Sequence, residues 1–285
     1  MKQYYYFIAS LREISLDVDR MPYTIKEFVQ EARDEINNLD KGELKFFDAI
    51  LLQNDNLNVI SYVKNNYKFF LEDDDNNNGN AINGTLTTSQ IEEDIAEGII
   101  KDKYQSPQYL PLYLWDSVKK NLHDLQEKRK NKIDKIDNKD LLFEDEISML
   151  YYQYIQQLPN EFLKMYFQFD YAIKNLLVTY NAKKFSLPLD SFVLPFEGDS
   201  KYDTELEWSS KVEQIFVESN LQEREKSLDR LRFQYIDRLL EFDYFGLNII
   251  LGYLVKLITL QRWNNIKDKK SGQKKFTSIV NNLLG

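Results

Sequence analysis

The chain has 285 residues, 43% of them hydrophobic, with 19 Tyr and 18 Phe, enough to bury one large core or two small ones. A net charge of −9 and an isoelectric point near 4.9 argue against a nucleic-acid backbone or an anionic lipid surface as partner, since both need clustered Lys and Arg. No Cys is present, which removes disulfide and thiolate chemistry and fits a reducing compartment. Nine Gly and six Pro are few for this length and favour long helices over many turns.

In chain order, Tyr4 to Leu11 is apolar and aromatic, either a short strand or the start of a buried helix. It lacks the clean apolar run and small-residue cleavage site of a signal peptide. Thr24-Ile-Lys-Glu27 is a capping box, with Thr binding the N3 amide and Glu reaching back. It predicts a helix with Ile25, Phe28, Val29, Ala32 and Ile36 on one face. Asp40, reinforced by Glu43, caps a second helix carrying Leu44, Phe47, Ile50 and Leu51. Polar residues within Gln53 to Lys64 then break the pattern before Leu57, Ile60 and Val63, and Glu72 to Thr88 reads as a loop rich in Asp, Asn and Gly. Ser89-Gln-Ile-Glu92 is a further capping box, opening a short helix that reaches Ile100, and Gln105 to Pro111 reads as a connection.

Leu112 to Lys132 is amphipathic, with Trp115, Val118, Leu122 and Leu125 on one face and a highly charged far end. Leu142 to Leu158 is helical, Pro159-Asn160 interrupts, and Glu161 to Phe185 is helical again. Leu187 to Ser200 is an irregular connection. Thr204-Glu-Leu-Glu207 is a fourth capping box, from which a helix runs through Trp208, Val212, Ile215 and Phe216, with Leu228, Leu231, Tyr235 and Leu239 continuing at steps of three or four. Phe242 to Trp263 is the longest apolar run. Asp243 and Lys256 confine its uncharged part to Tyr244 through Val255, short of the roughly 20 residues of a membrane span. A buried core helix is the better reading. A turn near Ser271 precedes a last short helix from Phe276. The expected fold class is all-α.

That last run has an echo. Phe169 to Tyr180 (FDYAIKNLLVTY) and Phe242 to Tyr253 (FDYFGLNIILGY) share Phe, Asp, Tyr, Asn and Tyr at matching places. A weaker relative is Asp55-Asn-Leu-Asn58-Val-Ile60, whose Asp-to-Asn spacing is two residues shorter than in Asp170/Asn175 and Asp243/Asn248. An Asn inside an apolar helix is costly unless hydrogen-bonded, so Asn58, Asn175 and Asn248 are expected to tie helix to helix. The expected organisation is one helical domain over 1–285, with repeated sub-units at 1–104, 105–200 and 201–285.

Motifs for chemistry are sparse. No phosphate-cradling Gly-rich loop of the Walker or dinucleotide type occurs, and Gly272-Gln-Lys-Lys reads as a helix-end turn. The single His, His123, is flanked by Asn121-Leu122 and Asp124 and reads as a solvated surface residue. Asp74-Asp-Asn76-Asn-Asn78-Gly79 matches the opening of an EF-hand loop, but Thr85 stands where the bidentate Glu belongs and Ala81 stands at position 8. The carboxylate pairs Glu92/Glu93 and Glu144/Asp145/Glu146 are explained by helix first turns, where negative charge suits the dipole. The aromatic stripe of Tyr151, Tyr152, Tyr154, Tyr166, Phe167 and Phe169 reads as core. No catalytic, cofactor-binding or metal-ligating residue is assigned.

The start YYYFIASLREISLD, the segment NDNLNVISYVK and the end ILGYLVKLITLQRW with its Gly-containing turn resemble a bacterial family described as V-type ATPase subunits. That family is itself similar to the C subunit of V/A-type ATPases, which is called the d subunit in eukaryotic complexes. The C-subunit family is all-helical, with three related units that carry a D-x-x-N-L-type motif. Asp55 and Asn58 match its spacing, and the other two pairs depart from it. The resemblance implies a non-catalytic central-stalk part of a rotary motor for ion or proton transport. It would join the central shaft to the membrane rotor ring at the cytoplasmic face, peripheral to the membrane through protein contacts, with no cofactor, nucleic acid or small-molecule substrate. The alternative is a free-standing helical scaffold or regulator that binds another protein through aromatic faces. An enzyme using a carboxylate pair, or a Ca²⁺ switch at Asp74–Thr85, is a third class.

Overall fold

The computed structural model describes residues 4–17, 21–66, 84–130, 143–186 and 204–267. Among them the regular structure is helical: α1 (Tyr5–Ser10), α2 (Ile25–Asp40), α3 (Leu44–Asn66), α4 (Thr88–Glu92), α5 (Leu112–Lys130), α6 (Phe143–Gln157), α7 (Glu161–Phe185), α8 (Thr204–Phe216), α9 (Leu221–Leu239) and α10 (Leu247–Lys267). A 3-10 turn, Lys41–Glu43, leads into α3, and a π-helical stretch, Glu93–Ile100, prolongs α4. The all-α expectation holds, and Tyr4–Leu11 is a short helix rather than a strand. No helix among the described residues is long and apolar enough to cross a membrane.

Contacts divide the chain into two units, Met1–Ile50 with Glu218–Gly285, and Leu51–Val217. These bounds do not coincide with the segments 1–104, 105–200 and 201–285. In the first unit α10 packs on α2 and α9. The Thr24 capping box forms as expected: Thr24 Oγ1 accepts from Glu27 N at 3.2 Å and Glu27 Oε2 accepts from Thr24 N at 3.0 Å. The helix it opens buries Ile25, Phe28, Ala32 and Ile36. Phe28 meets Phe47 and Tyr253 in an aromatic centre, with ring centroids 6.4 and 4.9 Å away. In α10, Leu247, Ile250, Leu251, Leu254, Leu257, Leu260 and Trp263 are buried, each large aliphatic contributing about 1.5–3 kcal/mol.

In the second unit α5 packs on α6, α6 on α7 and α7 on α8. Its core joins Val59, Val63, Ile91, Ile95, Leu114, Trp115 and Val118. The aromatic stripe is core, as expected: Tyr151, Tyr152, Tyr166, Phe167 and Phe169 are buried, and the Phe169 ring stands edge-on to Trp208 at 5.1 Å. Asn160 accepts from Leu163 N at 2.9 Å and caps α7 after the Pro159 break.

Four local expectations are corrected. First, α3 runs unbroken through Gln53–Lys64, because its polar residues face inward to partners: Asn54, Asp55 and Asn56 are buried. Asp55 accepts from Thr85 N at 2.9 Å, Thr85 Oγ1 at 2.6 Å and Leu86 N at 3.0 Å, while Tyr113 Oη donates to Asn56 Oδ1 at 2.8 Å. Second, the cap before α4 is Thr87, which is extended and exchanges bonds with Gln90; Ser89 already lies inside the helix. Third, α8 and α9 are separate, since Asn220 turns the chain and caps α9 through Gln222 N and Glu223 N. Fourth, the two FDY segments differ. Phe169–Tyr180 lies wholly within α7, whereas Phe242–Gly246 precedes α10, leaving Phe169 buried and Phe242 exposed. Asn58, Asn175 and Asn248 are half-buried, and none of them is without a partner. The Thr204–Glu207 cap, the turn near Ser271 and the helix from Phe276 lie outside the described side chains and residues.

The Asp55 anchor makes a prediction. A Cβ at Gly84 would overlap the Asp55 carboxylate, 2.7 Å from its Cγ, and would stand 3.3 Å from the Asp55 backbone N. Gly84→Ala therefore has to push the 84–86 segment off the carboxylate, and the lost charge-assisted bonds cost about 2–4 kcal/mol. Urea unfolding followed by far-UV circular dichroism reads this directly. A loss under about 0.5 kcal/mol would show that the segment shifts freely.

Candidate functional site

Two features stand apart from ordinary packing: buried carboxylates that hold irregular backbone or neighbouring helices, and an exposed group of aromatic rings. The carboxylates explain one another. Asp94, fully buried in the π-helical stretch, accepts from the N–H groups of Gln108, Tyr109 and Leu110 at 3.0, 2.8 and 2.7 Å. Asp170, inside α7, accepts from the Tyr152 hydroxyl at 2.7 Å and lies 3.3 Å from Lys174 Nζ. Burial first, then the Asp170 charge, raise the Tyr152 phenol well above its usual range. Asp229, in α9, accepts from Arg232 at 3.0 Å and from Trp263 Nε1 at 2.7 Å, and pairs with Arg262. Each of these carboxylates is occupied by structural donors, so the geometry assigns them to bracing.

The residues with potential for chemistry are scattered. His123 is exposed, 3.8 Å from Asp124. Glu92 ends α4, and Glu93 accepts from the Tyr104 hydroxyl at 3.3 Å. Glu144 pairs with Lys64 and Glu146 with Lys120, the latter at 2.8 Å, in the first turn of α6; burial raises the Asp145 carboxyl between them. Of the Asp74–Thr85 stretch, 74–83 lie outside the described residues, and Thr85 is bonded to Asp55. Among the described residues no group of three or more His, Asp or Glu is arranged to hold a metal ion.

The aromatic group is built by two distant segments. A six-residue helix such as α1 is too short to stand alone. It is pinned by Tyr4 N donating to Phe245 O at 2.8 Å, by the Tyr4 hydroxyl donating to Glu43, and by the Tyr5 ring lying 4.5 Å from the Phe245 ring. The turn before α10 is equally fixed. Asp243 N donates to Leu240 O at 3.0 Å, and Asp243 Oδ1 accepts from Gly246 N at 2.7 Å. A Cβ at Gly246 would overlap that carboxylate, 2.8 Å from its Cγ, so glycine is what lets Asp243 close the turn.

With Tyr4 buried and Phe245 facing Tyr5, the neighbouring rings are left outside. Tyr6 is 92% exposed, Phe242 85%, Tyr244 68% and Tyr5 48%. Single exposed apolar residues are ordinary; here four exposed aromatics lie within three residues of the main-chain bond, Tyr4 N to Phe245 O, that joins the two segments, and aromatic side chains are enriched at binding surfaces. Apolar patterning alone assigns all four to structural elements and misses the face. The signal for the exposure is Asp243-x-x-Gly246, a turn that starts the helix at Leu247 and strands Phe242 and Tyr244 upstream of the buried stripe.

Fold and surface together define an all-α protein rich in aromatic residues, with two helical units and an exposed aromatic face. The chain belongs to the family of proteins of unknown function designated DUF2764, whose model matches residues 1–284. No curated protein and no solved structure matches it.

Proposed function

We propose that this chain is a non-catalytic coupling subunit of a V/A-type ATPase, joining the central shaft to the membrane rotor ring during rotation driven by ATP or by ion flow. The observation that carries the protein-binding part is the exposed aromatic face of Tyr5, Tyr6, Phe242 and Tyr244, since rings of this kind dominate binding energy when a partner covers them. Stiffness, the second demand on a torque-transmitting part, is supported by Asp55, Asp94 and Asp229, which brace loops and helices with charge-assisted bonds. The choice of machine rests on the resemblance of the terminal and Asn54–Lys64 segments to V-type ATPase subunits. In this reading the body consists of related helical units in which Asp55 and Asp170, both buried inside helices, hold corresponding places. The chain then works at the inner face of the membrane, held by protein contacts.

The test is purification of the ATPase from the native source in mild detergent. The chain is expected to co-purify, and its deletion to uncouple ATP hydrolysis from ion movement. Absence from the complex, together with intact coupling in the deletion strain, would falsify the proposal. The second reading, a free-standing helical scaffold, is favoured by the same aromatic face, which needs a partner but no rotor. A stable complex with an unrelated soluble protein, in place of the ATPase, supports it.

A further inference from the structure

Residues 13–17 rest on α9 and α10, and they are held differently from the chain just before them. Upstream the ties are firm. Tyr253 Oη donates to Arg12 O at 2.8 Å, and Tyr23 Oη donates to Ser10 O at 3.1 Å. Arg12 Nη1 donates to Pro22 O at 3.0 Å, and its guanidinium lies 5.2 Å from the centre of the Tyr23 ring. The Arg12–Pro22 bond joins the chain before the segment to the chain after it, so α1 and α2 are held without residues 13–17. From Glu13 onward side chains alone reach the two helices. Leu16 closes a small buried cluster with Phe233 of α9 and with Leu260 and Trp263 of α10, and Ile14 packs against it. Asp17, largely exposed, pairs with Lys226 and Arg230 of α9, each at 3.0 Å. Among the described residues no main-chain bond runs from 13–17 to either helix, and Asp17 N donates to Ser15 Oγ at 3.2 Å.

A segment tied at its neck and held beyond it by side chains opens without unfolding what surrounds it. Lifting it gives up the burial of one Leu and part of an Ile, and returns backbone freedom to residues 13–17; the two effects are of similar size and opposite sign. Exposed pairs such as those of Asp17 add a small, salt-screened contribution that tips the balance. The floor beneath keeps its shape, because Trp263 Nε1 and Arg262 are bonded to Asp229 and not to the segment. We propose that residues 13–17 are a latch that lifts from α9 and α10 about the Arg12 neck and bares an apolar cleft of Phe233, Leu260 and Trp263. Asp17 makes the closed state sensitive to ionic strength. Lys226 and Arg230, freed of Asp17, edge the opened cleft, while Glu13, the latch's other charged group, is exposed. Such a latch operates whether or not the chain couples a rotor.

The test uses the full chain labelled with 5-fluorotryptophan. Its three tryptophans, Trp115, Trp208 and Trp263, give three fluorine resonances, and Trp263→Phe assigns the one beneath the latch. Contact with water is read from the shift of each resonance between H2O and D2O, while far-UV circular dichroism follows the helices. Raising salt from about 0.02 to about 0.5 M is expected to increase the water contact of Trp263 and to leave Trp115, Trp208 and the helical signal unchanged. Asp17→Asn is expected to raise the ratio of open to closed latch about threefold at low salt and to flatten its salt dependence. Leu16→Ser is expected to raise it more than about tenfold, again with the helices intact. Three outcomes overturn the inference. One is a Trp263 resonance indifferent to salt and to both substitutions. The second is water reaching Trp263 only together with Trp115 and Trp208 as the helical signal falls, or a Leu16→Ser chain that does not fold, since the segment is then ordinary core. The third is an unchanged salt dependence in Asp17→Asn, which removes the ionic control.

Discussion

Asp94→Ala lowers the unfolding free energy by about 2–4 kcal/mol, a large effect for one side chain. The segment it holds cannot hold itself. Pro107 and Pro111 flank it, Pro111 has no N–H, and no strand lies among the described residues to pair with it. One carboxylate therefore takes the three consecutive N–H groups of Gln108, Tyr109 and Leu110. Gln108 and Tyr109 are exposed residues, so water recovers part of their loss; the Leu110 N–H lies in a buried residue beside Trp115 and Leu114 and recovers little. That asymmetry keeps the loss below the sum of three lost charged bonds. Asp94→Asn, which keeps an acceptor oxygen but no charge, is expected to cost about half as much. Urea unfolding gives the totals, and amide exchange at Leu110 should accelerate in the Ala variant. A total below about 1 kcal/mol would mean that the connection is held by Leu110 packing rather than by the carboxylate.

Helices α2, α6 and α7 are legible in the sequence because their apolar spacing and their punctuation, Thr24 and Pro159, are local signals. The continuation of α3 through Asn54-Asp55-Asn56 is not. Those residues read as a break until Thr85 and Leu86, about thirty positions away, are known to donate to Asp55. A buried polar residue in a helix and a solvated one look alike in sequence, and only a distant partner separates them. The exposed aromatic face is hidden for the opposite reason. In a chain with 19 Tyr and 18 Phe, aromatic density reads as core, and Tyr6 and Phe242 differ from Tyr152 and Phe169 in position, not in kind. The matching FDY pattern strengthens the wrong reading, because Gly246 permits a turn after Asp243 where Ile173 continues a helix after Asp170. Candidate chemistry at His123 and at Glu144–Glu146 reads more safely, since surface charge and helix first turns leave local marks.

Asp229→Ala is expected to cost more, about 3–5 kcal/mol, and to do so unequally with respect to its partners. Asp229 is buried between α9 and α10 and is shared by Arg232, Arg262 and the Trp263 indole N–H. Removing it leaves the Trp263 donor buried beside Leu16, Phe233 and Leu260 without its acceptor, and leaves Arg232, largely buried, without its counter-charge. Arg262 is half exposed and rehydrates. Arg262→Ala should therefore cost only about 1 kcal/mol, because Asp229 keeps its other two partners and the lost pair was partly wet. The ratio is the informative quantity. A pair that stabilised only through its mutual attraction would give similar losses from either side, whereas a buried acceptor with several donors gives a large loss only when the acceptor goes. Urea unfolding of the two single variants and the double variant measures the coupling, and a red shift of the tryptophan emission in Asp229→Ala would report water reaching Trp263. Equal losses from the two single variants would place the stabilisation in the Arg262 contact and would remove Asp229 from the set of buried braces.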